Sequence, residues 1–249
     1  MRTEFSGLWT RSLLALPNGQ RDETTQVAWL QGPSLFADLR QPAGRPACCL
    51  VPGLEHLAPE ACSWLATQSG FSGTFVVENN VGEWRREIDF QPKAPLPDAG
   101  TLEWQGDILV ETGLHTPYYE HWHADQEAPT PDGALRLQSR EDGRLAILVR
   151  SGPVFMLARD RAPGVKLAEP DLSACVAAAP DMASIRALLD CEISFGRADA
   201  GWKIIRSTLP WREGVHLATA TQGECHFNLD GTAWEILYAE GEGILREIA

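Results

Sequence analysis

Alternating apolar and polar residues recur along most of the chain and predict β-strands. In the segment Trp84–Phe90, Trp84, Ile88 and Phe90 fall on one face together with Arg86, and the remaining polar residues fall on the other. This pattern is typical of a half-buried antiparallel strand. Further strand-like segments lie at Gln26–Arg40, Phe71–Glu78, Thr101–Trp104, Ile108–Glu111, Arg144–Arg161 and Thr232–Leu237. Most of the chain is therefore predicted to form short strands separated by turns.

Two short segments have helical spacing instead. Pro59–Gln68 has apolar residues at helical intervals and is followed by Gly70, a common stop signal. In Asp181–Cys191, Asp181 suits the N-cap position, and the apolar residues after it form one stripe. We therefore predict one short helix in each half of the chain.

The order of these elements repeats once along the chain. In each half a Gly-Pro pair separates two apolar strands, and a short helix follows. The matched positions are Gly32 and Gly152, Trp84 and Trp202, and Trp9 and Trp122, at intervals of about 113 to 120 residues. The sequence therefore predicts two domains, residues 1–116 and residues 117–249.

Each half contains about eight strand-like segments, the number at which an antiparallel sheet closes into a small barrel. The predicted fold class is all-β with minor α, consisting of two tandem antiparallel β-barrels, each with a short helix. A sandwich of the same strands is the competing geometry, because strand periodicity does not distinguish it from a barrel.

Composition narrows the classes of partner. The chain has 249 residues, of which 44% are hydrophobic and 22% charged, as in globular proteins. The net charge of −13 repels phosphate backbones and anionic membranes, so we expect no nucleic-acid partner. The apolar runs are too short for a membrane span, which needs about 20 residues.

The N-terminus lacks the apolar stretch of a secretory signal, and six irregularly spaced cysteines suit reduced thiols. We therefore predict a cytoplasmic protein.

Several motifs carry a resemblance to a known family. The segment Phe5–Trp9 resembles the Gly-x-Trp signature in the first strand of lipocalin-type barrels. Four longer segments, in their order and spacing, resemble the fungal and bacterial family of tandem lipocalin-like, calycin-type barrel proteins; they are Gly106–Gly113, Tyr118–Trp122, Leu145–Arg159 and Thr232–Leu237. The resemblance implies two lipocalin-like barrels packed together, with Trp9 across the closed end of its barrel under an arginine.

The same resemblance implies no established reaction and no catalytic residues. The fungal members interact with a casein-kinase-type protein kinase and have no known biochemical activity. We do not expect this acidic chain to inherit that partnership.

The densest polar segment contains a candidate metal site. On a strand, His121 and His123 point the same way, and a neighbouring carboxylate would complete a Zn²⁺ or non-haem site. The match of Trp122 with Trp9 argues against it, because the first half has no such histidine pair. A haem ligand among the isolated histidines is a further alternative; these are His56, His115, His216 and His226. The sequence contains no motif of nucleotide binding or acyl transfer, and we predict no cofactor.

Tryptophans and arginines on strands form the candidate ligand site. Indoles that line a barrel offer an apolar wall with one polar N–H group, but they can equally fill the barrel. Arg86 shares a face with Trp84, and a buried guanidinium requires a carboxylate from the protein or from a ligand. The candidate ligand-binding residues inside the barrels are Trp9, Trp29, Trp84, Arg86, Trp104, Trp122, Trp202, Arg206 and Trp234.

These features leave three functions open. The first is binding of a small apolar or amphipathic ligand, which could carry a carboxylate, inside one barrel. The second is a non-enzymatic protein-interaction or structural module with solid barrels and a functional outer surface. The third is a barrel enzyme or metal-binding protein that uses His121 and His123.

Overall fold

The structure is a computed structural model that describes residues 4–125, 132–221 and 226–241 and residue 244. It is all-β with minor α, as predicted. The first sheet contains β1 (Gly7–Ala15), β2 (Arg21–Asp22), β3 (Gln26–Gln31), β4 (Leu35–Gln41), β5 (Ser69–Glu78), β6 (Val81–Asp89), β7 (Asp98–Gln105), β8 (Ile108–Gly113) and β9 (Tyr119–Ala124). The second contains β10 (Asp132–Ser139), β11 (Leu145–Ser151), β12 (Val154–Arg159), β13 (Glu192–Arg197), β14 (Lys203–Ser207), β15 (Thr219–Thr221), β16 (His226–Leu229) and β17 (Thr232–Gly241).

The first sheet closes on itself as an eight-stranded antiparallel barrel. Its order is β1-β3-β4-β5-β6-β7-β8-β9, and β9 pairs back onto β1 from Trp9 opposite Ala124 to Ala15 opposite Tyr119. The two-residue strand β2 extends the far end of β1. Closure removes the exposed sheet edges that an open sheet would present.

The second sheet is a half-barrel of order β14-β13-β12-β11-β10-β17-β16-β15. Within the described residues, its two outer strands are not paired with each other. Strand pairing also moves the division between the halves. The internal repeat predicts a division after residue 116, but β9 lies beyond that point and belongs to the first barrel. Pairing therefore changes from one sheet to the other between Ala124 and Asp132, and Trp122 is not the counterpart of Trp9 in a second barrel.

The two predicted helices are present with shifted ends. They are α1 (Pro59–Leu65) and α3 (Met182–Leu189), and an unpredicted helix, α2 (Leu172–Ala178), precedes α3. The Asp181 side chain caps α3 by accepting a hydrogen bond from the Ser184 backbone N–H at 2.8 Å, as the sequence indicated. No helix in the described part of the chain is long and apolar enough to cross a membrane.

The two halves pack through the outer face of the first barrel. In β4, Leu35, Ala37 and Leu39 point into a core shared with β11, β12 and the three helices. The alternate residues of β4, Asp38 and Arg40 among them, point into the barrel. Because both faces of β3 and β4 are covered, Gln26–Arg40 lacks the alternation of a half-buried strand.

A β-bulge changes the predicted face of β6. The register with β5 shifts so that Glu87 is an extra residue between Arg86 and Ile88. An inserted residue reverses the in-and-out alternation of a strand. Trp84 therefore lies in the aromatic core of the first barrel, whereas Ile88 and Phe90 lie in the core between the halves. The prediction that these apolar residues share one face was wrong.

The described cysteines form no disulfide bonds. Cys48 is exposed, and the other four, Cys49, Cys62, Cys175 and Cys191, are buried. Burial raises the pKa of Cys191 to about 12, which keeps it a neutral thiol. The sixth cysteine, Cys225, lies outside the described residues.

Candidate functional site

Aromatic side chains fill the interior of the first barrel. The Trp29 ring lies with its centroid 5.5 Å from those of Trp9, Trp84 and Trp122, and 5.2 Å from that of Phe75. Aromatic rings at these separations are in contact. Four of the candidate tryptophans therefore pack against one another as a solid core.

The end of this core differs from the lipocalin-type arrangement. The resemblance implies an arginine over Trp9, but Trp29 stacks on Trp9 with an interplanar angle of 24°. The guanidinium of Arg40 instead lies 5.8 Å from the ring centroid of Trp122. The Trp9 indole Nε1 donates to the carbonyl of Phe5 at 2.7 Å, so this polar group is already used within the protein.

The guanidinium of Arg86 lies 3.5 Å from the ring centroid of Phe71 in the first barrel. It donates to Asp98 at 2.5 and 3.0 Å and to Asp89 at 3.3 Å. Its partners are therefore protein carboxylates. A cavity of about 550 Å³ opens beside Arg86, between β6 and the loop that leads into β7.

A buried network of ion pairs lies next to the aromatic core. Arg40 donates to Asp38 at 2.8 Å and to Glu120 at 3.2 Å, and Arg11 donates to Glu120 at 2.5 Å. Asp38 and Glu120 are both almost fully buried. Carboxylates at such depth require these partners, because an unpaired buried charge is strongly destabilising.

Glu111 is also buried in this region, but its hydrogen-bond donors are neutral side chains and not arginines. Its two oxygens accept from the Tyr118 hydroxyl at 2.6 Å and from the Trp122 indole Nε1 at 2.9 Å. Burial, reinforced by the nearby negative charge of Glu120, raises the pKa of Glu111 to about 8. Glu111 is therefore protonated at neutral pH and joins the core as a neutral group.

The second half contains a cavity of about 440 Å³ at the mouth of its half-barrel. Its walls include apolar side chains of the inner sheet face, and the segment Pro52–Glu55 from the first half also lines it. The apolar and aromatic lining residues are Leu54, Leu157, Leu209, Trp211, Leu229 and Trp234. A site of this size and lining suits a small molecule.

Ion pairs form the polar wall of this cavity. Arg159 donates to Asp190 at 2.9 Å, and Arg212 donates to Glu192 at 2.9 Å and also to Asp230. Both guanidinium groups are therefore paired with carboxylates of the same wall. The wall is therefore polar but internally neutralised.

Trp234 is the candidate tryptophan that lines this cavity. It is 3% exposed, and its indole Nε1 is buried without a hydrogen-bond acceptor. A buried donor without an acceptor costs about 1–3 kcal/mol. Protein atoms enclose this N–H group, so Trp234 lines the cavity with other atoms of its side chain.

The remaining candidate residues lie apart from both cavities. Trp104 is 46% exposed and packs against Trp9 at the barrel edge. Trp202 lies in a turn with a φ of +57°, not in the predicted strand. A register shift in β14 leaves Arg206 opposite Phe195, and Arg206 donates to Gln26 of the first half at 3.3 Å.

His121 and His123 lie on the outer face of β9. The His121 ring contacts Tyr119, and His123 Nε2 lies 2.8 Å from the Ser12 hydroxyl. The described residues contain no group of three or more side chains positioned to hold a metal ion.

Two arginines of the cavity in the second half, Arg159 and Arg212, are not among the candidate residues predicted from the sequence. Arg159 lies two residues after Leu157 on an apolar strand, so the alternation alone would have placed it on the inner face. Arg212 lies in a short 3-10 helix, Pro210–Arg212, and no local pattern indicates its position.

Similarity to known proteins bears on the fold of this chain and not on its function. No family model and no curated protein matches this sequence. Among solved structures, the chain is similar to the crystal structure of an uncharacterized protein from Saccharomyces cerevisiae, YLR301w. The two share 11% sequence identity with a TM-score of 0.59, over 94% of this chain and 98% of the other. The two barrel-like sheets are compatible with a calycin-like fold.

Proposed function

We propose that this protein binds a small amphipathic ligand in the cavity of its second half. The observation that carries the proposal is a cavity of about 440 Å³ whose walls combine apolar side chains, Trp234 among them, with charged ones. Ligand sites combine such an apolar lining with a few polar groups that orient the ligand. The resemblance to tandem lipocalin-like proteins, whose barrels suit small ligands, supports the same function.

The first barrel supports this function as a scaffold. Its tryptophans contact one another, and its arginines are paired with protein carboxylates. It also contributes Pro52–Glu55 to the rim of the cavity. The proposed site therefore needs both halves.

Calorimetric titration with compounds that share a ten-carbon chain tests this proposal. The panel contains 1-decanol, 2-decanone, decanoate and decylamine. We expect saturable binding of at least one member to the wild-type protein at one site per chain. Absence of saturable binding across the panel would contradict the proposal.

A matched pair of variants locates the site. Thr232 lines the cavity of the second half, and Thr74 lines the cavity beside Arg86; both are partly buried. Thr232→Trp is expected to weaken binding at least tenfold by filling the cavity, whereas Thr74→Trp leaves binding unchanged. The reverse result would place the ligand in the first cavity. Circular dichroism checks that both variants are folded.

The alternative of a protein-interaction module is supported by the solid core of the first barrel, which leaves its outer surface for contacts. Affinity capture with the wild-type protein and with Thr232→Trp separates the two. A partner recovered equally by both proteins, in the absence of ligand binding, would favour the interaction module.

A further inference from the structure

Two imidazole side chains lie on the outer face of β9. His121 and His123 alternate with Glu120 and Trp122, whose side chains point into the first barrel. Residues two apart on a strand lie on the same face, about 7 Å from each other. Both histidines are partly exposed, so a metal ion in solution can reach them. Neutral imidazole is the commonest metal ligand among protein side chains.

Strand pairing removes an objection to a metal site at these histidines. The internal repeat matches Trp122 with Trp9, which has no histidine pair beside it. In the structure β9 pairs with β1 within one barrel, and Trp9 lies opposite Ala124. Because the two tryptophans belong to the same barrel, they are not equivalent positions of a repeat. The lack of histidines beside Trp9 therefore does not count against a metal at β9.

The residues opposite the two histidines determine which metal suits them. His121 lies opposite Val110 in β8 and Leu13 in β1, and His123 lies opposite Thr10 in β1. None of these three opposite residues carries a carboxylate, so the site has two protein ligands and water takes the other positions. Zn²⁺ sites in proteins use three or four protein ligands. Cu²⁺ accepts a tetragonal set of nitrogen and oxygen ligands and binds such sites most tightly among the first-row divalent metals.

A β-bulge in β1 gives His123 a hydrogen-bond partner that orients its ring. The register between β1 and β9 shifts between Arg11 and Leu13, which makes Ser12 the extra residue. The Ser12 hydroxyl lies 2.8 Å from His123 Nε2. When Nε2 donates to this oxygen, Nδ1 carries the lone pair that binds a metal. Histidine ligands commonly use their second nitrogen in this way, and the hydrogen bond holds the ring in position.

We propose that His121 and His123 form a Cu²⁺ site on the outer face of the first barrel, with Ser12 as a positioning residue. Both imidazoles bind the ion, and water completes its coordination. The net charge of −13 raises the concentration of cations near the protein. This site goes beyond the proposed function, because it lies on the first barrel and needs no ligand in the second half.

Calorimetric titration of the full chain with Cu²⁺, in a buffer that does not bind copper, tests the proposal. Cys48→Ser is the parent of all variants, because the exposed Cys48 thiol would compete for copper. We expect one Cu²⁺ per chain to bind at least tenfold more tightly than Zn²⁺. His121→Ala and His123→Ala should each weaken Cu²⁺ binding by about tenfold, because a single imidazole remains.

The matched control is His56→Ala, which removes an exposed histidine from another part of the surface and leaves the Cu²⁺ affinity unchanged. Circular dichroism checks that the variants are folded. Equal Cu²⁺ affinity in the parent and in His121→Ala would overturn the proposal.

Electron paramagnetic resonance of the copper-loaded parent counts its nitrogen ligands. We expect couplings from two imidazoles in the parent and from fewer in either single histidine variant. Ser12→Ala should keep both nitrogens and weaken binding less than the histidine variants do. A parent spectrum without imidazole coupling would overturn the site, and an unchanged affinity in Ser12→Ala would overturn the role of Ser12. Neither result affects the proposed function, which the ten-carbon panel tests separately.

Discussion

Replacing Glu111 with glutamine should remove a specific loss of stability at alkaline pH. The folded protein keeps Glu111 protonated up to a pKa of about 8. An unfolded chain releases the same proton near a pKa of about 4.3. Between these values the folded state binds more protons than the unfolded state, so stability falls as the pH rises.

The size of this loss follows from the pKa difference. Each pKa unit corresponds to about 1.4 kcal/mol, so the loss between about pH 4 and pH 8 is at most about 5 kcal/mol. When Glu111 is protonated it donates to the Tyr118 oxygen, whose hydroxyl turns from donor to acceptor, and it still accepts from Trp122; Glu111→Gln reproduces this pattern with its amide N–H and its oxygen. The variant therefore keeps the hydrogen bonds and has no proton to lose.

Thermal unfolding followed by circular dichroism between pH 5 and pH 8.5 measures the effect. We expect wild type and Glu111→Gln to melt at similar temperatures at pH 5. The variant should melt higher at pH 8.5, by about 2–4 °C for each kcal/mol. Glu103→Gln, at an exposed position of the neighbouring strand β7, serves as control and should follow wild type. A constant melting difference between Glu111→Gln and wild type across this pH range would refute the reasoning.

Two further substitutions test the packing of the first barrel. Trp9→Ala should lower the free energy of unfolding by about 3–5 kcal/mol, because it removes a buried aromatic ring that stacks on Trp29. Denaturant unfolding measures this, and an unchanged midpoint would show that Trp9 is not part of the core. Gly73→Ala should destabilise by about 1–3 kcal/mol, because a Cβ there would lie 2.0 Å from the backbone oxygen of Arg85. Gly19→Ala, where no atom lies within 4 Å but φ is +86°, provides a comparison in which backbone strain acts without a steric clash. A Gly73→Ala variant as stable as wild type would rule out the clash.

The sequence anticipated the features that short segments encode. The helix ending at Leu189 was predicted from its stripe of apolar residues and its Asp181 N-cap, both of which lie within a few turns of chain. The pairing of Arg86 with carboxylates was also anticipated in kind, because a guanidinium beside a buried tryptophan needs a negative partner. The specific partner Asp98 lies on the next strand, and alternation alone does not indicate which residues meet there.

Long-range strand pairing explains the main differences between the predicted and the observed structure. The strand that contains Trp122 pairs with β1, more than 100 residues earlier, and this pairing closes the first barrel. An internal repeat does not report such closure, so the division of the halves was placed before this strand. The bulge at Glu87 adds one residue to β6. Ile88 therefore lies on the opposite face of the sheet from the one that regular alternation predicts, although the local pattern looks like one unbroken strand.

The sequence by itself determined the strand content, the positions of two helices and the presence of two halves, because each depends on periodicity within a short segment. Only the tertiary structure decided which interior is solid and which has a cavity. In the first barrel, Trp29 meets three other tryptophans from different strands, and the four rings pack as one cluster. In the second half, Trp234 keeps its N–H unmatched beside a cavity. The two tryptophans look alike in sequence and differ because packing depends on which distant side chains meet them.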